Sequence, residues 1–248
     1  MKTQYKLAAL ASVVLLVAFG VLYSGKSVNA SPSGQITGTV KLDGQAPKQK
    51  VIDMSKEPSC AQIHAGSPVT TEAVIAGANG GLKNVVVYIS EGLSPADAAQ
   101  VPAQSNQINQ KGCQYLPHVV AVDTNQKVEV VNSDSTSHNI HPMPKPGGPN
   151  HEWNKSQPPG APPFQEAFGT EEVAIPVKCN VHPWMRGYIA VVKGPYGVSD
   201  GDGNFTISNV SPGNYTLTAW QETYGTQTQK VTVAAGKPTA VNFVFKAK

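Results

Sequence analysis

The segment Cys179-Asn180-Val181-His182-Pro183-Trp184-Met185 carries most of the chemical information in this chain. It places a thiol, an imidazole and a thioether at equal spacing on one short loop, so that all three side chains can face a single point. One thiolate, two imidazoles and a weakly bound axial thioether form the ligand set of blue-copper sites. The loop therefore predicts most of such a site and requires a second histidine from elsewhere in the chain.

His138 is the candidate for this second histidine, because it follows the strand-like run 127–132 and a short connection rich in turn residues. A mononuclear site that is clamped by two remote segments is held rigid by the fold. Ahead of the cysteine, alternate residues are apolar: Val173, Ile175 and Val177. Cys179 shares their parity, which predicts that its thiol faces the interior.

The spacing Cys-x-x-His-x-x-Met, with Pro183 after the histidine, resembles the ligand loop of the cupredoxins and most closely that of amicyanin. The segment 138–141 resembles the one that carries the first histidine ligand in this family. The resemblance covers about residues 113–193, and the long proline-rich insertion after residue 141 departs from it.

This resemblance implies a Greek-key β-sandwich that holds one type 1 copper ion. The implied equatorial ligands are His138, Cys179 and His182, and the implied axial ligand is Met185. The resemblance further implies that the side chain of Asn139 ties the two ligand segments together. Redox proteins are the implied partners.

Three residues near the ligands have roles that the sequence leaves open. His141 lies three positions from His138, and such positions point to opposite faces of an extended segment, so we expect a second-shell or loop residue. Copper binding by His141 is the alternative. Trp184 either packs beside the site or belongs to an apolar docking patch. We expect the outer edge of His182 to reach the surface, ringed by Pro183, and redox partners to dock there.

The segment 142–170 contains eight prolines and little apolar periodicity. This composition favours an ordered surface loop or a lid over the site, with an inert connection as the alternative.

The first thirty residues predict export. Lys2 and Lys6 precede an apolar run at 7–23, and a small-residue pattern typical of a cleavage site ends at Ala30. The run is also nearly long enough to span a bilayer, so a membrane anchor at 7–23 remains an alternative to a cleaved signal at 1–30. Both alternatives place the rest of the chain in the periplasm or at the cell surface, and we expect membrane contact only through this segment and only if it is not cleaved.

The charge balance argues against binding to nucleic acids. Residues 1–30 contain three of the 19 basic residues and no acidic one, so the remainder carries 16 of each sign. Arg186 is the only arginine in the sequence. Nucleic-acid binding requires clustered positive charge, which this composition does not offer.

The sequence after residue 30 predicts an all-β chain that contains a second, small β-sandwich. Residues 34–42 alternate between polar and apolar, 82–90 form another strand-like run, and 199–204 predict a hairpin turn. Residues 45–80 look irregular, and 91–112 predict a polar loop that can include a helical turn. The segment 195–248 resembles the carboxypeptidase regulatory-like (transthyretin-like) β-sandwich. Strands from 34–90 resemble the start of that module, which suggests a discontinuous sandwich with the cupredoxin domain, 91–193, inserted between its strands.

Two smaller motifs have competing interpretations. Cys60 and Cys113 predict a disulfide in an oxidising compartment. The alternative is a second metal site that combines them with His64 and His118. The run 200–204 is similar to a calcium loop but lacks the later bidentate carboxylate, so we expect a plain turn.

The ligand set favours electron transfer over catalysis, because it leaves no strongly bound open position for a substrate. The sequence also lacks a Ser/His/Asp arrangement, a paired-carboxylate motif and a phosphate loop, so we do not expect an enzyme. We expect an exported one-electron carrier. The alternatives are a copper storage or delivery protein and a surface binding module with a structural cupredoxin.

Overall fold

The computed structural model describes residues 33–100 and 106–247. The predicted export segment at 1–30 lies outside the described residues. In the described part of the chain, none of the helices has the length and apolar character needed to cross a membrane.

Strands dominate the described residues, which confirms the all-β prediction. The strands are β1 (Gly34–Asp43), β2 (Val86–Glu91), β3 (Asn106–Gln110), β4 (Tyr115–Leu116), β5 (Val119–Asp123), β6 (Lys127–Asn132), β7 (His138–Pro142), β8 (Lys155–Gln157), β9 (Phe164–Ala167), β10 (Glu172–Lys178), β11 (Arg186–Val192), β12 (Tyr196–Val198), β13 (Asn204–Val210), β14 (Gly213–Gln221), β15 (Gly225–Val233), β16 (Pro238–Ala240) and β17 (Phe243–Lys246). The two helices within residues 33–100 and 106–247 are short: α1 (Pro58–Ile63) and α2 (Pro95–Ala98).

Two of the sheets form what we call the site sandwich. One sheet has the strand order β5-β11-β10-β7-β8, and the other has the order β4-β3-β6-β9. Their facing side chains form one buried apolar cluster, to which Ile108, Val130, Ile140 and Ile189 belong. Burial of such apolar surface is the main force that holds two sheets together.

The other two sheets form the second sandwich. One has the order β13-β1-β16 with β17 also on β1, and the other has the order β12-β2-β14-β15. Strand β1 runs antiparallel to β13, with Ile36 opposite Ile207, and parallel to β17, with Val40 opposite Phe243. The first strand therefore pairs with the last part of the chain, and this pairing supports the discontinuous arrangement suggested by the sequence.

The two sandwiches share an apolar boundary. Strand β2 points Val87 and Ile89 into the core of the second sandwich. Its alternate residues, Val86 and Tyr88, join a third buried cluster with residues of β5 and β11. Because side chains alternate across a strand, one strand serves both the sandwich core and the boundary.

Three strands lie where the sequence predicted loops. Strand β3 falls within the expected polar loop at 91–112, and β8 and β9 fall within the proline-rich segment at 142–170. These strands are rich in polar residues and lack clear alternation. They form because β6 and β7 present open edges on which they pair. The expectation of loops at these positions was wrong, since pairing overrides weak local propensity.

The parity prediction ahead of the cysteine was right for part of the strand. Ile175, Val177 and Cys179 are buried in the core of the site sandwich. The register of β10 on β11 shifts between Glu172 and Ile175, where Ala174 adopts a φ of 73°. This bulge turns Val173 away from the core, and it packs against the boundary cluster instead.

Candidate metal centre

Three donor side chains meet at one end of the site sandwich. The Nδ1 atoms of His138 and His182 are 2.9 Å apart, and Cys179 Sγ lies 3.8 Å from His182 Nδ1. One ligand atom from each of the three residues lies within 4.8 Å of the other two. All three residues are buried, with exposures of 0%, 2% and 1% for His138, Cys179 and His182.

The strands explain how remote residues reach the same point. His138 is the first residue of β7, and Cys179 directly follows β10, with which β7 pairs. The chain then turns back at once into β11. The turn is closed by backbone hydrogen bonds from Cys179 N to Met185 O (3.1 Å) and from Met185 N to His182 O (2.9 Å). Met185 is 1% exposed and belongs to the same buried cluster as Cys179.

Asn139 connects the two donor segments. Its Oδ1 accepts hydrogen bonds from Asn180 N (2.7 Å) and from Cys179 Sγ (3.3 Å). Its Nδ2 donates to Asn154 Oδ1 at 2.7 Å. The link implied by the family resemblance is therefore present, and it is anchored in turn to the proline-rich segment.

Asp134 is a residue of the site that the sequence interpretation missed. Its Oδ2 lies 2.8 Å from His138 Nε2, and the carboxylate also accepts hydrogen bonds from the backbone N–H groups of Gly112 and Cys113. Burial alone would raise the pKa of Asp134, but the hydrogen bonds from His138 and the backbone outweigh it and lower the pKa. A carboxylate that holds the outer nitrogen of a ligating histidine fixes the orientation of the ring.

Burial and hydrogen bonds shift the pKa values of all three donor side chains. Burial would raise the pKa of the Cys179 thiol, yet hydrogen bonds from His138 and from nearby backbone N–H groups lower it. Burial and the neighbouring His138 lower the pKa of His182. Burial would lower the pKa of His138, but its bonds to Asp134 and Cys179 raise it. A metal requires a thiolate and neutral imidazoles, and two of the three shifts favour these forms.

The donor set itself fits copper. A thiolate and two imidazoles combine a soft ligand with borderline ones, and a thioether next to them is typical of blue-copper centres. The three donors are already close together and are buried at one end of the site sandwich. His138, Cys179 and His182 would therefore hold the ion, and Met185 is buried in the same apolar cluster as Cys179.

The expected exposure of His182 was wrong. The residue is 1% exposed, although its neighbours Val181 and Pro183 lie at the surface. Trp184 covers it: the two rings are 5.3 Å apart between centroids, and Trp184 Nε1 donates to Cys113 O at 3.1 Å. Of the two interpretations of Trp184, the structure favours packing beside the site.

His141 lies outside the donor cluster. Its ring nitrogens contact Asn180 Oδ1 (3.1 Å) and Glu152 Oε1 (2.5 Å). It therefore steadies the ligand loop next to Cys179 from the surface side, as expected for a second-shell or loop residue.

The two smaller motifs are also resolved. Cys60 and Cys113 form a disulfide, which confirms that prediction and excludes the second metal site. His64 contacts Gly112 O and His118 contacts Glu222. The carboxylate of Asp200 accepts backbone hydrogen bonds from Asp202 and Asn204 within its own turn, as a plain turn requires.

Comparisons with known proteins gave matches to parts of this chain. Residues 191–246 match the family model of the carboxypeptidase regulatory-like domain. A search of curated proteins found no match.

Several solved cupredoxin-type structures are similar to part of the chain. Amicyanin from Paracoccus versutus is 22% identical over 43% of this chain and 97% of its own length, with a TM-score of 0.32. The purple cupredoxin from Nitrosopumilus maritimus is 21% identical over 36% of this chain and 100% of its own, with a TM-score of 0.30. The copper-containing nitrite reductase from Thermus scotoductus is 20% identical over 42% of this chain, with a TM-score of 0.33, and the match spans 27% of that enzyme.

Proposed function

We propose that this chain is an exported type 1 copper protein that carries single electrons between redox partners and is not an enzyme. The observation that supports this most directly is the buried cluster of His138, Cys179 and His182, whose donor atoms already converge. Copper bound by this set would supply one-electron chemistry by cycling between Cu(II) and Cu(I).

The protein contributes rigidity and enclosure. Asn139 and Asp134 hold the donors from two sides, and the short loop between β10 and β11 is closed by its own backbone hydrogen bonds. A site that does not rearrange suits both oxidation states with little reorganisation. Burial of all three donors also leaves little room for a substrate beside them, which favours a carrier over a catalyst.

Export and partner docking are parts of the same proposal. The bridge between Cys60 and Cys113 supports a location outside the reducing cytoplasm, since disulfides persist mainly in oxidising compartments. Because Trp184 covers His182, we place the docking face on the outer side of the ligand loop. The exposed apolar residues Val181 and Pro183 lie on this face.

The decisive experiment is the visible spectrum of the full chain loaded with one equivalent of Cu(II). We expect a strong thiolate-to-copper charge-transfer band that disappears on reduction and returns on oxidation. Cys179→Ser should abolish the band, because a hydroxyl cannot replace the soft thiolate. Val181→Ala, on the exposed part of the same loop, should keep it.

Two results would count against the proposal. A band that survives in Cys179→Ser would show that the ligands are misassigned. Stoichiometric copper without the band, removed readily by a chelator, would favour a storage or delivery protein.

A further inference from the structure

The turn between β3 and β4, formed by residues 111–114, lies beside the candidate metal centre. It is closed by backbone hydrogen bonds from Lys111 N to Gln114 O (3.0 Å) and from Gln114 N to Lys111 O (3.3 Å). Its two central residues, Gly112 and Cys113, have φ values of 63° and 53°. Because this left-handed conformation is disfavoured for residues other than glycine, Cys113 requires contacts outside the turn to hold it there.

Main-chain groups of this turn reach the contacts of both candidate histidine ligands. On one side, the N–H groups of the two central residues each donate to the Asp134 carboxylate at 2.7 Å, and Asp134 Oδ2 lies 2.8 Å from His138 Nε2. On the other side, Cys113 O accepts a hydrogen bond from Trp184 Nε1 at 3.1 Å. The Trp184 ring covers His182, with 5.3 Å between the ring centroids. Each histidine is therefore one side chain away from Cys113.

A disulfide fastens this turn to the first helix. Cys113 is bonded to Cys60 of α1, and both residues are 0% exposed. His64, which directly follows α1, adds a second contact, since its Nε2 lies 2.7 Å from Gly112 O. The turn is therefore anchored covalently to a segment outside the two strands that it connects.

We propose that the turn 111–114 positions both histidines of the metal centre and that the disulfide between Cys60 and Cys113 keeps this turn in place. Cys113 acts through its main-chain N–H and C=O groups and through its bond to Cys60, so its sulfur does not contact the metal. Outer partners of this kind orient ligating histidines and tune a metal site. The inference rests on the proposed copper-binding function, because it concerns the same centre.

The first test measures the Cu(II) affinity of the full chain by competition with a chromophoric chelator. The variant Cys60→Ala/Cys113→Ala removes the disulfide. Both cysteines are replaced because a lone Cys113 thiolate would add a donor close to Asp134 and His138. The double variant should bind Cu(II) at least about tenfold more weakly, which is the usual effect of losing the outer partners of metal ligands.

Gly203→Ala is the matched control for lost stability. It should also destabilise the fold, since an added Cβ would lie 2.2 Å from Val40 O, but it lies in the second sandwich. Its Cu(II) affinity should differ from that of wild type by less than about threefold, because distant sites act independently.

The second test needs no copper. Hydrogen exchange of the Trp184 indole N–H is followed by NMR in the metal-free chain with isotope-labelled tryptophan, and Trp184→Phe assigns its signal. Exchange should be at least about tenfold faster in the double variant than in wild type, since the acceptor Cys113 O is no longer held in place. In Gly203→Ala the exchange rate should change by less than about threefold.

Trp184→Phe also serves as a second variant in case the double variant does not fold. It keeps an aromatic ring beside His182 and removes the hydrogen bond to Cys113 O, so Cu(II) should bind about tenfold more weakly. The proposal is overturned if Trp184→Phe keeps the Cu(II) affinity of wild type, or if the double variant matches Gly203→Ala in affinity or in exchange. Failure of the proposed function gives a different result: wild type with Cu(II) would lack the charge-transfer band, whereas exchange in the metal-free double variant would still be faster.

Discussion

Asp134 and Asn139 form hydrogen bonds to different donor residues of the candidate centre. Asp134 holds the outer nitrogen of His138, while Asn139 accepts a hydrogen bond from Cys179 and another from the backbone of Asn180. Such outer contacts fix ligand orientation and tune a metal site. The arrangement of the donor side chains therefore depends on residues outside the donor set.

Met185 provides the first prediction at this scale. Met185→Leu should keep the three equatorial donors and the blue band, because leucine has a similar volume in the buried site. The reduction potential should rise, since loss of the axial thioether favours Cu(I). Voltammetry of the copper-loaded variant beside wild type measures the shift. An unchanged potential would mean that Met185 is not axial.

Asp123 provides a prediction about pH. Burial raises the pKa of this carboxyl above its ordinary value of 3.8, against hydrogen bonds from Gly194 and Thr124 that lower it. Because this pKa is raised in the folded state, the Asp123 carboxyl stays protonated up to a higher pH in the folded protein than in the unfolded chain. The stability contributed by Asp123 is therefore present below about pH 3.8 and is lost as the pH rises through the folded pKa.

Asp123→Asn removes the loss of stability at higher pH, because asparagine does not ionise. It also keeps a side-chain oxygen that can accept a hydrogen bond. The free energy of unfolding of the variant, relative to wild type, should increase with pH above about 3.8 and then level off. Denaturant titrations between pH 3 and 8 measure it, with the exposed-turn variant Asp202→Asn as a control for charge. A difference that stays flat or falls with pH would contradict the prediction.

The site residues differ in how readily sequence reveals them. The convergence of His138, Cys179 and His182 could be predicted, because a cysteine and histidines at this spacing favour a shared metal site. Asp134 lies in a turn-rich connection, where aspartate is common and does not indicate a site. Its role depends on hydrogen bonds from the backbone N–H groups of Gly112 and Cys113, which are remote in sequence. The burial of His182 depends on where the ring of Trp184 lies, which no local pattern specifies.

At the scale of elements, the turn before β13 packs against β1, the first strand of the described residues. Gly203 O accepts a hydrogen bond from Val40 N of β1 at 2.8 Å. Gly203 has a φ of 81°, and a Cβ added there would lie 2.2 Å from Val40 O and 2.8 Å from Gly81 Cα. The turn thus requires glycine both for its backbone conformation and for its close approach to β1.

Gly203→Ala should therefore destabilise the protein by about 2–3 kcal/mol, because strain and a steric clash act together. Gly201→Ala in the same turn is the matched control, since a Cβ there meets nothing within 4 Å. Urea unfolding of both variants measures the difference. Equal stabilities would show that the turn does not pack on β1 in this way.

Strands with apolar alternation could be predicted from sequence, and strands without it could not. Residues 34–42 correspond to β1, and the alternation behind the turn corresponds to β13. Strand β3 reads Asn-Gln-Ile-Asn-Gln, and its place in the sheet comes from parallel pairing with β6. The buried side chain of Gln110 donates a hydrogen bond to Gln157 of β8. Two strands whose sequences predict loops therefore stabilise each other.

At the scale of the whole molecule, the two sandwiches are joined through the boundary cluster. Trp220 of β14 is 8% exposed and packs edge-on against Tyr188 of β11 at a centroid distance of 5.3 Å. Val86 of β2 and Ala190 of β11 are fully buried in the same cluster. Since neither face would otherwise be covered, we expect the sandwiches to unfold together.

Trp220→Ala tests this coupling. Removing the largest side chain of the boundary should cost about 3–5 kcal/mol, which is the usual range for a buried aromatic residue replaced by alanine. Wild type should show one calorimetric transition that coincides with the loss of β-sheet signal, whereas the variant should unfold in two steps, because each sandwich keeps its own core. Val244→Ala, at a residue that is 49% exposed on β17, is the control and should change the stability by less than about 0.5 kcal/mol. A single transition in Trp220→Ala, shifted no further than in the control, would mean that the Trp220 side chain does not couple the two sandwiches.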